Sequence, residues 1–171
     1  NLVKKAFVRD PSTLEPVYQV VTHTSLPTGQ VTDLHATDWN NNYYIDEIYF
    51  GVNHIDYSSD VFNGVLYNFR MNWQDWLDGG KVPGELNDVI DMETPIAAEP
   101  YTSVDNQGYS WVFTGTGRLF IGKDRDERHQ EYFAGIKLTD DLPVDKDDLM
   151  QTNGIAVYSD GELKPSATVA N

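Results

Sequence analysis

The chain has 171 residues, with 27 acidic against 12 basic side chains, a formal net charge of −15 and no cysteine. Such an acidic excess repels nucleic acid and anionic lipid and concentrates cations near the surface. The lack of cysteine rules out disulfides, thiolate catalysis and thiolate metal sites. No stretch reaches the length of a transmembrane helix, so membrane insertion is not expected. The first ten residues contain no apolar signal region, so an export signal would lie upstream or have been removed.

Helical periodicity is scarce, and short β-prone runs separated by Gly, Asn, Asp and Pro dominate. Residues 2–9 and Glu15 to Thr22 read as strands, with turns at Asp10 and at 26–29. Val31 to Ala36 is a short alternating run that leads into a polar loop, DWNNNYYID, at 38–46. In this loop Asp38, Asn40, Asn42 and Asp46 occupy positions 1, 3, 5 and 9, and Tyr44 at position 7 offers its main-chain carbonyl. A curled backbone turns alternate side chains inward, so these hard oxygens converge as calcium requires. Position 6 is Tyr43, where the calcium loop of an EF-hand has glycine, and position 12 is Tyr49 rather than a bidentate glutamate. The same residues also suit a polar turn closed by its own Asx hydrogen bonds, without an ion.

Glu47 to Val52 is the next strand, with Ile48 and Phe50 on one face and Tyr49 on the other. A polar insertion is expected at 53–63. Gly64 to Met71 then places Val65, Tyr67 and Phe69 on one face and Leu66 and Asn68 on the other. Trp73 to Leu77 suggests one helical turn carrying Trp73 and Trp76, and 78–91 reads as surface loop. Strands are expected at Pro95 to Tyr101, Tyr109 to Thr114, Arg118 to Ile121 and Glu131 to Lys137. The charged run 123–130 is expected to be an exposed loop, because burying that many unpaired charges is prohibitive. Asp145 is placed to cap a short helix, 154–163 reads as a hairpin, and 164–171 as a loose tail. The expected class is all-β, made of short antiparallel strands as in a sandwich or propeller blades. Residues 1–137 form the main body and 138–171 a C-terminal extension.

Enzymatic patterns are weak. Thr114 to Arg118 (TGTGR) lacks the G-x-G-x-x-G spacing and a following helix. His23, His35, His54 and His129 are dispersed, and the default for each is a surface or turn residue; His35 lies close enough in sequence to Asp38 to approach the loop from outside. Carboxylate pairs such as Asp145 with Asp147, or Asp124 with Asp126, lie in polar runs, without the burial that raises the pKa of a general acid. No G-x-S-x-G elbow is present. Trp39 and Tyr43 crown the polar loop, where they would form a recognition surface or a sugar-binding platform.

Taken in order, the segments DWNNNYYID (38–46), IYFG (48–51), NGVLYNFRM (63–71), TPIAAEP (94–100), WVFTGTGRLF (111–120), QEYFAGI (130–136) and DDLMQT (147–152) form a series. This series resembles the C-terminal β-propeller domain of the PilY family, the adhesins and biogenesis factors of type IV pili. The resemblance covers about residues 30–152. It implies the terminal blades of a propeller, a bound calcium ion and display outside the cell at the pilus after export through the periplasm. It also implies roles in adhesion, motility and pilus extension and retraction. The implied partners are minor pilins or other pilus-tip components, a second chain or larger assembly that completes the propeller, and a host or abiotic surface. The chain departs from the family pattern at Val52, which stands in place of an aspartate, and at the insertion 53–62. Its loop has asparagine at two carboxylate positions and Tyr43 in place of glycine, which predicts a calcium affinity in the extracellular range of roughly 10⁻⁴ to 10⁻³ M. Two other readings are a structural interaction module of a surface filament with no required ion, and a carbohydrate-binding domain.

Overall fold

The computed structural model describes residues 3–9, 16–22, 29–73, 84–118, 120, 122–125, 130–139, 141–150, 155–157 and 163–165. Those residues are mostly antiparallel β-sheet with almost no helix, as the alternating runs predict. One short hairpin precedes the two larger sheets in sequence and another follows them. They are formed by β1 (Val3–Arg9) with β2 (Pro16–Thr22), and by β11 (Ile155–Val157) with β12 (Leu163–Pro165). The expected turns at Asp10 and 26–28, the helical turn beyond Trp73, His23, His129, and the tip of the last hairpin lie outside the described residues.

The main body consists of two sheets. The larger has five strands: β3 (Gln30–Val31) and β4 (His35–Thr37) share one edge of β5 (Glu47–Asp56), which pairs with β6 (Val61–Met71), which pairs with β7 (Gly84–Asp91). The smaller places β9 (Ser110–Gly115) between β8 (Tyr101–Val104) and β10 (Phe133–Lys137). Period-two alternation sorts the side chains of β5 and β6 as predicted. Tyr49 and Leu66 face the smaller sheet and pack with Val89, Ile90, Met92, Ile96, Val112, Ala134 and Ile136. Phe50, Val52, Tyr67 and Phe69 form a second cluster, with Ile48 and Val65 packed against it. The hairpin is therefore buried on both faces. Each fully buried aliphatic such as Leu66 contributes about 1.5–3 kcal/mol over an exposed one.

Several segments differ from the sequence expectation. Residues 53–63 are not a loop: β5 and β6 stay paired out to Asp56 and Val61, and Asp56 closes the tip by accepting the Ser58 N–H and the hydroxyls of Ser58 and Ser59. Those hydrogen bonds, led by the Ser58 hydroxyl, hold the Asp56 carboxyl well below its ordinary range. Residues 84–91 are a strand rather than surface loop. The register shifts between Leu66 and Tyr67, which face Ile90 and Asp88, so Val89 is an extra residue. This bulge lets the consecutive Val89 and Ile90 both enter the core.

Residues 95–100 are not a strand. They form an irregular strap touching β9's continuation through the Ile96–Thr116 bridge. The strap is clamped by Asn53, whose side-chain oxygen accepts the Ile96 N–H at 2.7 Å while its amide donates to the Ile96 carbonyl at 2.8 Å. Gly64 permits the crossing, since a Cβ there would stand 2.6 Å from the Thr94 carbonyl oxygen. Of the strand expected at Arg118 to Ile121, Leu119 and Ile121 lie outside the described residues, Arg118 and Phe120 are not in a strand, and Gly122–Arg125 is a 3-10 helix. Within the charged run Asp124 is buried, not exposed. It accepts Arg118 Nε and the Phe120 N–H at 2.9 and 2.8 Å, and the Arg118 guanidinium lies 3.5 Å from the Phe62 ring centroid. Burial is tolerated because the charge is paired and hydrogen-bonded. Asp145 caps a 3-10 helix, Lys146–Asp148, as expected.

Candidate functional site

The polar loop joins β4 to β5, with its base held by the Thr37–Glu47 pair and by the Asp46 N–H donating to the Thr37 carbonyl at 2.8 Å. Inside, the side-chain oxygens at positions 1, 3 and 5 organise the curl. Asp38 Oδ1 accepts the Asn42 N–H at 3.2 Å and Oδ2 the Tyr43 N–H at 2.7 Å. Asn40 Oδ1 also accepts from Asn42 N–H at 3.1 Å, and Asn42 Oδ1 accepts the Tyr44 N–H at 2.8 Å. Asp46 Oδ2 reaches back to the Trp39 N–H at 2.8 Å. Two residues adopt positive φ, Asn41 at 57° and Tyr43 at 69°. Asparagine tolerates that region, whereas tyrosine rarely does. Tyr43 thus takes, at position 6, the left-handed backbone for which calcium loops employ glycine.

Among the described residues, no three His, Cys, Asp or Glu side chains gather at one point as a metal site. The donors that the loop offers are of mixed type: two carboxylates, from Asp38 and Asp46, the amide oxygens of Asn40 and Asn42, and the carbonyl of Tyr44. All are hard oxygens of the kind calcium takes, and a carboxylate that has accepted one or two N–H groups retains further lone pairs. The residues present therefore fit calcium chemically, with less charge than a loop of four carboxylates.

The loop's aromatics divide sharply. Tyr43 is 98% exposed, and Tyr44 meets Trp73 edge-on at 5.7 Å, while Trp73 Nε1 donates to the Ile45 carbonyl. Trp39, expected at a recognition surface, instead packs against the core and donates its indole N–H to Glu47 Oε2 at 3.0 Å. Glu47 carried no signal in the sequence beyond being a carboxylate inside an apolar strand. In the fold it is buried and collects donors from Trp39, from the Tyr49 hydroxyl, from Arg70 Nε at 2.9 Å and from Asn68 at 3.5 Å. Burial, followed by the hydrogen bond to the Glu47 carboxylate and its charge, pushes the Tyr49 phenol far above its ordinary pKa.

The ring nitrogens of His35 find their partners outside the loop. Its Nε2 lies 2.9 Å from Thr102 Oγ1 and its Nδ1 3.4 Å from Glu99, which ties β4 to β8 across the two sheets. Thr37 Oγ1 reinforces this clasp, 2.6 Å from the same Thr102 hydroxyl. The TGTG segment serves close approach: a Cβ on Gly117 would stand 2.8 Å from that of Ala97. Asp145 and Asp147 are exposed, and Asp124 is engaged with Arg118.

Compared with family models, with curated proteins and with solved structures, the chain gives no match.

Proposed function

We propose that the chain is a calcium-stabilised, non-enzymatic β-domain of a type IV pilus-associated surface protein, built as terminal blades of a propeller. The observation that carries this reading is the Asp38 cradle: one carboxylate gathers the N–H groups of positions 5 and 6, and Tyr43 takes a left-handed backbone there. The order of the segments supports it too. IYFG falls in β5, NGVLYNFRM in β6, the WVFTG part of its segment in β9 and FAGI in β10. Calcium bound to the folded loop and not to the unfolded chain would add about 1.4 kcal/mol of stability at a tenfold excess over its dissociation constant. Ordering of the loop would also fix where Tyr43 and Tyr44 point, and so the surface offered to a minor pilin or another pilus-tip component.

The experiment is calorimetric calcium titration with thermal melts in calcium and in chelator, on the wild type and on Asp46→Asn. One saturable site that raises the melting temperature, and weakens at least about tenfold when the carboxylate becomes an amide, supports the proposal. No heat of binding and superimposable melts would overturn it. That second outcome favours an ion-independent interaction module, a reading supported by the main-chain N–H groups that already hold the loop's curl by bonding the side-chain oxygens of Asp38, Asn40, Asn42 and Asp46.

A further inference from the structure

Asp46 is held differently from the other side chains of the polar loop. Its main chain is fixed by the larger sheet on two sides: its N–H donates to the Thr37 carbonyl at 2.8 Å and its carbonyl accepts the Met71 N–H at 2.7 Å. The side-chain torsions then remain, and Oδ2 settles them by accepting the Trp39 N–H at 2.8 Å. Oδ1 takes no donor among the described residues, so its lone pairs stay open to an ion. Asp38, Asn40 and Asn42 instead accept N–H groups of residues 42–44, in the exposed tip of the loop.

Trp39 is in turn anchored from beneath. Its ring packs against the core and its indole N–H donates to Glu47 Oε2 at 3.0 Å. Glu47 is buried, and holds Arg70 Nε at 2.9 Å and the Tyr49 hydroxyl. Asp46 and Glu47 are neighbours in sequence, and extended chain sends consecutive side chains to opposite sides. Trp39 bridges the two carboxylates, its main-chain N–H on one and its indole N–H on the other. A continuous line of contacts therefore runs from the buried strand through Glu47 and Trp39 to the Asp46 carboxylate.

Groups that orient a metal's ligands from behind govern its affinity, and removing one typically weakens binding about 10- to 100-fold. We propose that Trp39 is a positioning residue for the calcium loop: anchored on Glu47, it sets the Asp46 carboxylate so that Oδ1 is presented to the ion. This role rests on the calcium reading of the loop, and adds to it the residue that ties ligand geometry to the core. Trp39 thus works from under the loop rather than at its surface. Coupling of this kind is reciprocal. An ion that fixes Asp46 also tightens Trp39 on Glu47, whereas a ring that merely fills the core is indifferent to the ion.

The test is calorimetric calcium titration of the full chain, at a temperature where circular dichroism shows every variant folded, with melts in calcium and in chelator. Trp39→Phe keeps an apolar ring and loses the indole N–H, so its calcium dissociation constant should rise about tenfold or more. The gain in melting temperature from calcium should shrink accordingly. Glu47→Gln, which retains an acceptor oxygen for the indole, should lose less. Ile136→Val lightens the core away from the loop and should lower both melts alike, with calcium affinity unchanged. In the wild type the Trp39 indole N–H should exchange with solvent more slowly in calcium than in chelator, a readout that needs no variant to fold. Trp39→Phe binding calcium as tightly as the wild type would overturn the proposal, as would indole exchange indifferent to calcium. A wild type that binds no calcium would overturn the calcium reading of the loop itself, so the two failures are told apart.

Discussion

Tyr43 donates its main-chain N–H to Asp38 Oδ2 at 2.7 Å, and that bond holds the tyrosine at a φ of 69° while its side chain stands almost wholly in solvent. A left-handed backbone costs a non-glycine residue roughly 1–2 kcal/mol. The side chain returns little of that through packing. Tyr43→Gly should therefore stabilise the protein, by a few tenths to about 1 kcal/mol once the extra freedom of glycine in the unfolded chain is subtracted. Tyr43→Val, β-branched at the same φ, should destabilise it by about 1 kcal/mol. Urea unfolding of both variants checks the pair, and a drop in stability for the glycine variant would contradict the strain.

Glu47 is the acceptor on which Trp39, Tyr49, Asn68 and Arg70 converge. Truncation to alanine leaves buried donors without a partner, a loss of about 3 kcal/mol. Glu47→Gln keeps the shape and one acceptor oxygen, so about half that loss is expected. Denaturant midpoints at unchanged m-value are the readout. A neutral effect of the alanine variant would show that water replaces the carboxylate there.

Alkaline pH should unfold the protein through Tyr49. Its folded-state pKa is raised, by burial first and then by Glu47, so above about pH 10 the unfolded chain releases a proton that the folded one keeps. The unfolded state then binds fewer protons and stability falls with rising pH, by about 1.4 kcal/mol per pH unit for one such group. Tyr67, raised by burial and by the charges of Asp88 and Asp91, acts in the same direction. In Tyr49→Phe the alkaline limb should lose one proton's worth of slope. An identical limb would place the titration elsewhere.

Acid acts through Asp105 as well as Asp56, and Asp105 is held below the ordinary carboxylate range by the Trp111 indole N–H first and then by the Tyr109 N–H. A depressed pKa gives stability that is present above the ordinary value of about 4 and lost as pH falls through the folded one. Asp105→Asn retains an acceptor oxygen without titrating, so its melts below pH 4 should fall less steeply than those of the wild type. Parallel acid limbs would remove Asp105 from the account.

The sequence was most legible where a local period or a local cap decides the outcome. Alternation in 47–52 and 64–71 sorted the two faces of the central hairpin correctly, and Asp145 announced its cap. It was least legible where a distant partner or an irregularity decides. Glu85, Asn87 and Asp88 gave β7 the composition of a loop, and only the bulge at Val89 explains how its apolar pair is buried. Asp124 looked solvated until Arg118 folded over it, and His35 found its partners more than sixty residues away on β8 and in the strap before it. The loop's spacing was plain, whereas the inward turn of Trp39 depended on the buried Glu47.

The loop from Asp38 to Asp46 begins and ends where Thr37 and Glu47 are already paired, and the hydrogen bonds that give it its curl run between its own residues. The tip alone is thus a cassette: Asn40 to Tyr43 could be exchanged without shifting the register of β4 on β5, whereas Trp39 is tied to Glu47 and the core, and Tyr44 and Ile45 to Trp73. Such a unit can diverge on its own timetable, gaining or losing carboxylates while the sheets beneath it stay fixed.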